Sequence, residues 1–163
     1  MLFGVNVPGG AFGEEEVGKV AEMVGHRPDA VLWYEDFAAP VPVMPMKSVA
    51  ASGFLPVTSW EPWFWHAAPA TSAGLLPRIG AGEFDTYVLE WAEGYSTMKG
   101  NPHLRFAHEF NGHWYPWCTT GGTTPEQYVI AWRRIHDLFT KAGATDVRWM
   151  WSPAAYESGT ALA

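Results

Sequence analysis

His103-Leu104-Arg105-Phe106-Ala107-His108-Glu109 is the stretch on which the reading of the fold turns. His103 to His108 reads as a strand, with Glu109 at its C-terminal end. A helix precedes it: Phe84, Tyr87, Val88, Trp91, Tyr95 and Met98 fall on one face, and Gly100 stops the pattern. A second helix follows. Thr124-Pro125-Glu126-Gln127 combines a capping box with proline at the first helical position. Tyr128, Trp132, Ile135 and Phe139 give that helix a buried stripe, and Gly143 ends it.

The same alternation extends outward in both directions. Leu2 to Val7 reads as a first strand, closed by Pro8-Gly9-Gly10. Glu14, Glu15 and Glu16 open a helix, where acids suit the positive end of the dipole, and Gly25 ends it. Ala30 to Tyr34 is the second strand, with Glu35 and Asp36 beyond it. A short helix is expected near Met46 to Ala51. Phe54 to Trp60 is the third strand, although Pro56 cannot donate a ladder bond. A loop bearing Pro69, Gly74 and Pro77 then leads to the helix of Tyr87 and Trp91. Val147 to Trp151 is the fifth strand.

Five strands alternating with four helices predict an α/β fold with a parallel sheet and right-handed crossovers. Two architectures remain open at this point: a doubly wound sheet, or part of a (β/α)8 TIM barrel. No G-x-G-x-x-G follows the first strand, which disfavours a dinucleotide fold.

The chain has 163 residues, enough for one domain. Its formal net charge of -7, with no basic cluster, argues against a nucleic-acid partner. No run of about 18 apolar residues exists to cross a membrane. No signal peptide is visible. The 10 tryptophans are more than a core needs, because a buried indole requires a partner for its N–H. They suggest a cleft lined with flat rings that could hold sugars; the alternative is an aromatic-rich core. With Cys118 as the sole cysteine, no disulfide can form within the chain. His103, His108 and His113 are spaced five apart and do not form a metal motif.

In such folds chemistry gathers at the C-terminal ends of strands. Those ends carry Asn6, Glu35, Asp36, Trp60, Glu61, Trp63, His108, Glu109, Trp151 and Ser152. Glu109 is the sharpest candidate: an aromatic pocket disfavours the charged form of a carboxyl, which suits a proton donor. The competing reading is that Glu109 merely pairs with Arg105.

Four segments carry a resemblance. They are Trp33 to Phe37; Pro56 to Trp63; Arg105 to Trp117, with the core His108-Glu109-Phe110-Asn111-Gly112-His113-Trp114; and Ala131 to Arg134 continuing through Gly143 to Pro153. In this order they resemble glycoside hydrolase family 26, best known for β-mannanases. The resemblance implies a TIM barrel, a retaining mechanism on a β-linked polysaccharide, no cofactor, and action outside the cell. Glu109 matches the family's acid/base residue, and His108 the histidine that helps hold the nucleophile. Trp114 matches an aromatic platform. Trp60, Glu61, Trp63, Asn111 and Arg105 are the other expected substrate contacts.

Retaining enzymes use two carboxyl groups about 5–5.5 Å apart. The family carries its nucleophile on the seventh strand. Residues 1–163 are accordingly expected to be a partial catalytic domain, a barrel truncated after about five units. Glu157 has no strand before it and is not assigned as the nucleophile. Such a chain is expected to be inactive alone and to self-associate through its open edges.

Overall fold

The computed structural model describes residues 2–155. Among these residues, five strands form one sheet: β1 (Gly4–Val5), β2 (Ala30–Asp36), β3 (Leu55–Glu61), β4 (His103–Phe106) and β5 (Arg148–Trp149). All four pairings are parallel, and the spatial order is β1-β2-β3-β4-β5. A doubly wound sheet would reverse direction at a switch point. This order has no reversal, which removes that alternative and is the order in which strands follow one another around a (β/α)8 barrel.

Three expected strands end early. The first shrinks to Gly4–Val5, the fourth stops at Phe106 instead of His108, and the fifth stops at Trp149 instead of Trp151. The second and third run longer, through Asp36 and Glu61. The fourth ends where Ala107 takes a positive φ of 46°, outside the β region of a regular ladder.

Among the described residues, six α-helices accompany the sheet: α1 (Glu14–Val24), α2 (Val43–Ala51), α3 (Pro69–Ser72), α4 (Leu75–Ala81), α5 (Asp85–Ser96) and α6 (Pro125–Lys141). α3 and α4 replace the expected loop. Pro77 sits in the first turn of α4, where a missing N–H costs nothing, and Leu75, Leu76 and Ile79 are buried. α6 has the capping box that its sequence announces: Thr124 accepts from the Gln127 amide, and Gln127 accepts from that of Thr124. Its buried residues are Tyr128, Ala131, Ile135 and Phe139; Trp132 stands beside them against Trp149. Arg134 of α6 grips Asp85 of α5 through two bonds of 2.7 and 2.5 Å.

Alternation along the strands divides the sheet into two faces. Val31, Trp33, Trp60, Leu104 and Phe106 lie among the buried residues of the helix-covered core. Trp60 is its centre, stacked on Trp91 of α5 with centroids 4.1 Å apart. The opposite face is a trough of about 600 Å³, lined by Leu32, Tyr34, Val57, His103 and Arg105 among others. Register aligns Tyr34 with Ser59 and Ser59 with Arg105 across three strands. No helix among the described residues is long and apolar enough to cross a membrane.

Candidate active site

The site grows from that aligned row. Ser59 and Glu61 are two apart on β3, so both face the trough. The Arg105 guanidinium donates to the Ser59 hydroxyl at 3.1 Å. Past β4 the chain kinks, and His108 comes to lie over the row. Its Nδ1 is 3.2 Å from the Ser59 hydroxyl, its Nε2 3.1 Å from the Tyr115 hydroxyl and 3.7 Å from Glu61 Oε1.

One tautomer satisfies every polar atom of this row. A guanidinium only donates, so Ser59 accepts from Arg105, and its own hydrogen is left to turn to His108 Nδ1. Nε2 then carries the imidazole proton and donates to Tyr115. The ring is neutral: burial first, and the Arg105 charge second, push it down from 6.5 to about 3. In the unfolded chain this histidine titrates normally. Between pH 6.5 and 3 the unfolded state therefore binds one more proton, and stability falls as pH falls. Urea midpoints taken from pH 7 to 5 should show a slope of up to about 1.4 kcal/mol per pH unit. His108→Gln should remove it; an identical slope in the variant would reject this account.

Glu61 is 5% exposed. Its Oε2 accepts from two indoles, Trp63 and Trp65, both at 2.8 Å. Burial raises its carboxyl above the usual range, partly offset by those two bonds and by Arg105. Glu61 thus works on the rings rather than in the open cleft. Trp65, at 43% exposed, presents its indole at the rim.

Glu109 is one-third exposed along its side chain. Trp114 Nε1 donates to its Oε2 at 2.9 Å, and Arg105 stands 4.0 Å from its Oε1. The Arg105–Glu109 pairing considered above is therefore present, but it is loose and shared with Ser59. The Trp114 ring lies over Gly112: a Cβ there would meet Cε2 and Cζ2 at 2.7 Å. Glycine gives the indole this seat; any side chain there would push the ring away. Tyr115, whose hydroxyl burial and the nearby Glu61 and Glu109 push up to about 12, closes the floor.

Six expected site residues come together: Glu109, His108, Arg105, Glu61, Trp63 and Trp114. Two do not. Trp60 is wholly buried on the helix side of the sheet, because its position on β3 is one residue out of phase with Ser59 and Glu61. Asn111 clamps the backbone of Ala154, accepting from its N at 2.7 Å and donating to its O at 3.1 Å. Of the other strand-end residues, Glu35 accepts from Trp33 and Asp36 from the amides of Ala38 and Trp65, while Asn6 donates to the Leu32 carbonyl. Glu157 lies outside the described residues.

Ser59, Tyr34, Tyr115 and Trp65 escaped the sequence reading. Alternation on the third strand was signal enough for Ser59, two before Glu61. Trp65 stands two after Trp63, so both can reach one carboxylate. Among the described residues no group of three or more His, Cys, Asp or Glu could hold a metal ion.

Residues 90–161 match the model of glycosyl hydrolase family 26, a span that includes β4, the kink and α6. Endoglucanase H of Acetivibrio thermocellus is 30% identical over 85% of this chain. The chain spans only 15% of that relative's length. A neutral histidine, a glutamate one-third exposed and indoles on one rim agree with those matches, and the chain belongs to glycosyl hydrolase family 26.

Proposed function

We propose that the protein hydrolyses β-1,4-linked mannan with retention of configuration, Glu109 serving as acid/base. One observation carries this reading: the Glu109 carboxyl is open to the cleft yet held by the Trp114 indole at 2.9 Å, above a neutral His108. In the first step Glu109 gives its proton to the glycosidic oxygen while a second carboxylate attacks the anomeric carbon. In the second step Glu109, now a carboxylate, takes a proton from the attacking water. Trp114, Trp63 and Trp65 offer flat faces to pyranose rings.

The described carboxylates near this cleft are engaged elsewhere: Glu61 with two indoles, Asp36 with two amides, Glu35 with Trp33. None is assigned as the nucleophile. In this reading that group sits on a later strand of a completed (β/α)8 barrel, residues 1–163 alone bind glycan without turnover, and their open strand edges favour self-association. The protein works outside the cell, without cofactor, nucleic acid or membrane.

The relative's name favours a second reading, in which the substrate is a β-glucan. The test uses the protein as its gene encodes it. It is incubated with β-1,4-mannan and with mixed-linkage β-glucan, and proton NMR follows the first anomer released. Mannan should yield reducing ends that appear first as the β-anomer. Preference for β-glucan would replace the substrate and keep the mechanism. Release of the α-anomer first would sink the retaining mechanism, and silence on both glycans would sink the reading.

A further inference from the structure

We propose that Trp117 and Tyr128 are positioning residues for Glu109, holding the backbone that aims its carboxyl. The inference rests on the acid/base reading of Glu109. The observation is a run of strained backbone. Ala107 and Glu109, either side of His108, take positive φ of 46° and 52°, and neither is glycine. Such conformations persist only where the surroundings over-determine them.

Here the surroundings do so one carbonyl at a time. The Tyr128 hydroxyl donates to the Ala107 carbonyl at 3.1 Å. The Trp117 indole donates to the His108 carbonyl at 2.7 Å. The Cys118 thiol reaches the Glu109 carbonyl at 3.3 Å, where the Gly112 amide also donates at 2.8 Å. The Glu109 amide in turn donates to the Ser152 carbonyl at 2.7 Å. Three successive carbonyls thus each meet a side-chain donor. Because Glu109 O has the Gly112 amide as well, Cys118 is dispensable there.

The two remaining donors are buried and come from different elements. Tyr128 stands in the first turn of α6, whose capping box fixes its place. Trp117 is 2% exposed and stacks on Tyr115, itself bonded to His108. Neither points its polar atom at the cleft. They act on the peptide planes either side of His108, and those planes set where the Glu109 side chain leaves the chain. A displacement near 1 Å at a reacting group costs on the order of 10²-fold in rate.

Trp117→Phe and Tyr128→Phe delete one donor each and leave a ring in place. Both are made in the protein as its gene encodes it, with circular dichroism checking the fold. Each is assayed on the polysaccharide it hydrolyses and on the matching aryl β-glycoside with 2,4-dinitrophenolate as leaving group. That phenolate departs without a proton, so its kcat/KM does not need a well-aimed acid. Each variant should lose about 10- to 100-fold in kcat on the polysaccharide, with KM nearly constant. On the aryl glycoside kcat/KM should stay within about threefold of the parent protein.

Equal losses on both substrates would mean a merely structural role and overturn the inference, as would wild-type rates on the polysaccharide. If Trp117→Phe does not fold, Tyr128→Phe decides alone. Glu109→Gln runs beside them. If it keeps its rate on the polysaccharide, the acid/base reading itself has failed. If it is impaired while both phenylalanine variants match the parent, only the positioning inference has failed.

Discussion

Glu109→Gln lowers kcat on the polysaccharide by about 10³-fold, within the range general acid–base catalysis supplies, and changes glycan affinity little. The amide keeps the size of the side chain. Its oxygen can still accept from Trp114 Nε1, the bond that holds the carboxyl at 2.9 Å. What disappears is the exchangeable proton, and with it both the departure of the sugar leaving group and the activation of water. Arg105, 4.0 Å away and already bonded to Ser59, loses a loose partner only. Steady-state kinetics with titration of the indole fluorescence separates the two effects. A kcat within tenfold of the parent would remove Glu109 from the chemistry.

Trp60→Ala destabilises the domain by about 3–5 kcal/mol, the cost of truncating a buried aromatic ring. Domains have only about 5–15 kcal/mol in total, so this single change should bring the urea midpoint close to collapse. The reason lies in its neighbours. Trp60 is fully buried, stacked on Trp91 at 4.1 Å and 9°, and in ring contact with Phe37, Tyr87 and Phe106 as well. At a temperature where the variant remains folded, its affinity for glycan should match the parent's. A stable variant with weakened binding would instead place Trp60 at the substrate.

Much of the fold can be read from the chain because its elements announce themselves locally. Thr124 to Gln127 carries the start of α6 in four residues, and Gly25 and Gly143 sit just beyond α1 and α6 with φ of 71° and 78°. α4 could not be read this way. Pro77 and its neighbouring glycines look like a loop, and only tertiary burial of Leu75, Leu76 and Ile79 sustains the helix. Strand ends were legible to within a few residues, since a positive φ at an alanine leaves no mark in composition.

The site divides along a similar line. Glu109, His108 and Trp114 sit in one short motif, and the fold brings them together. Trp60 and Asn111 lie within equally suggestive segments but serve the core and the Ala154 backbone. For Trp60 the deciding fact is strand phase. A one-residue error in where a pleat begins exchanges the trough face for the helix face. For Asn111 the deciding partner lies after β5, too far along the chain for any local pattern to reveal.

The unreversed strand order bears on how the chain finds its structure. Each pairing joins consecutive strands, so it closes one crossover and no more. Contact order stays low for a parallel sheet, and loop-closure entropy is met in instalments. β2 and β3 share seven register pairs across the compact α2 connection. That unit can assemble while later residues are still being synthesised, and each new strand then docks on an edge already in place.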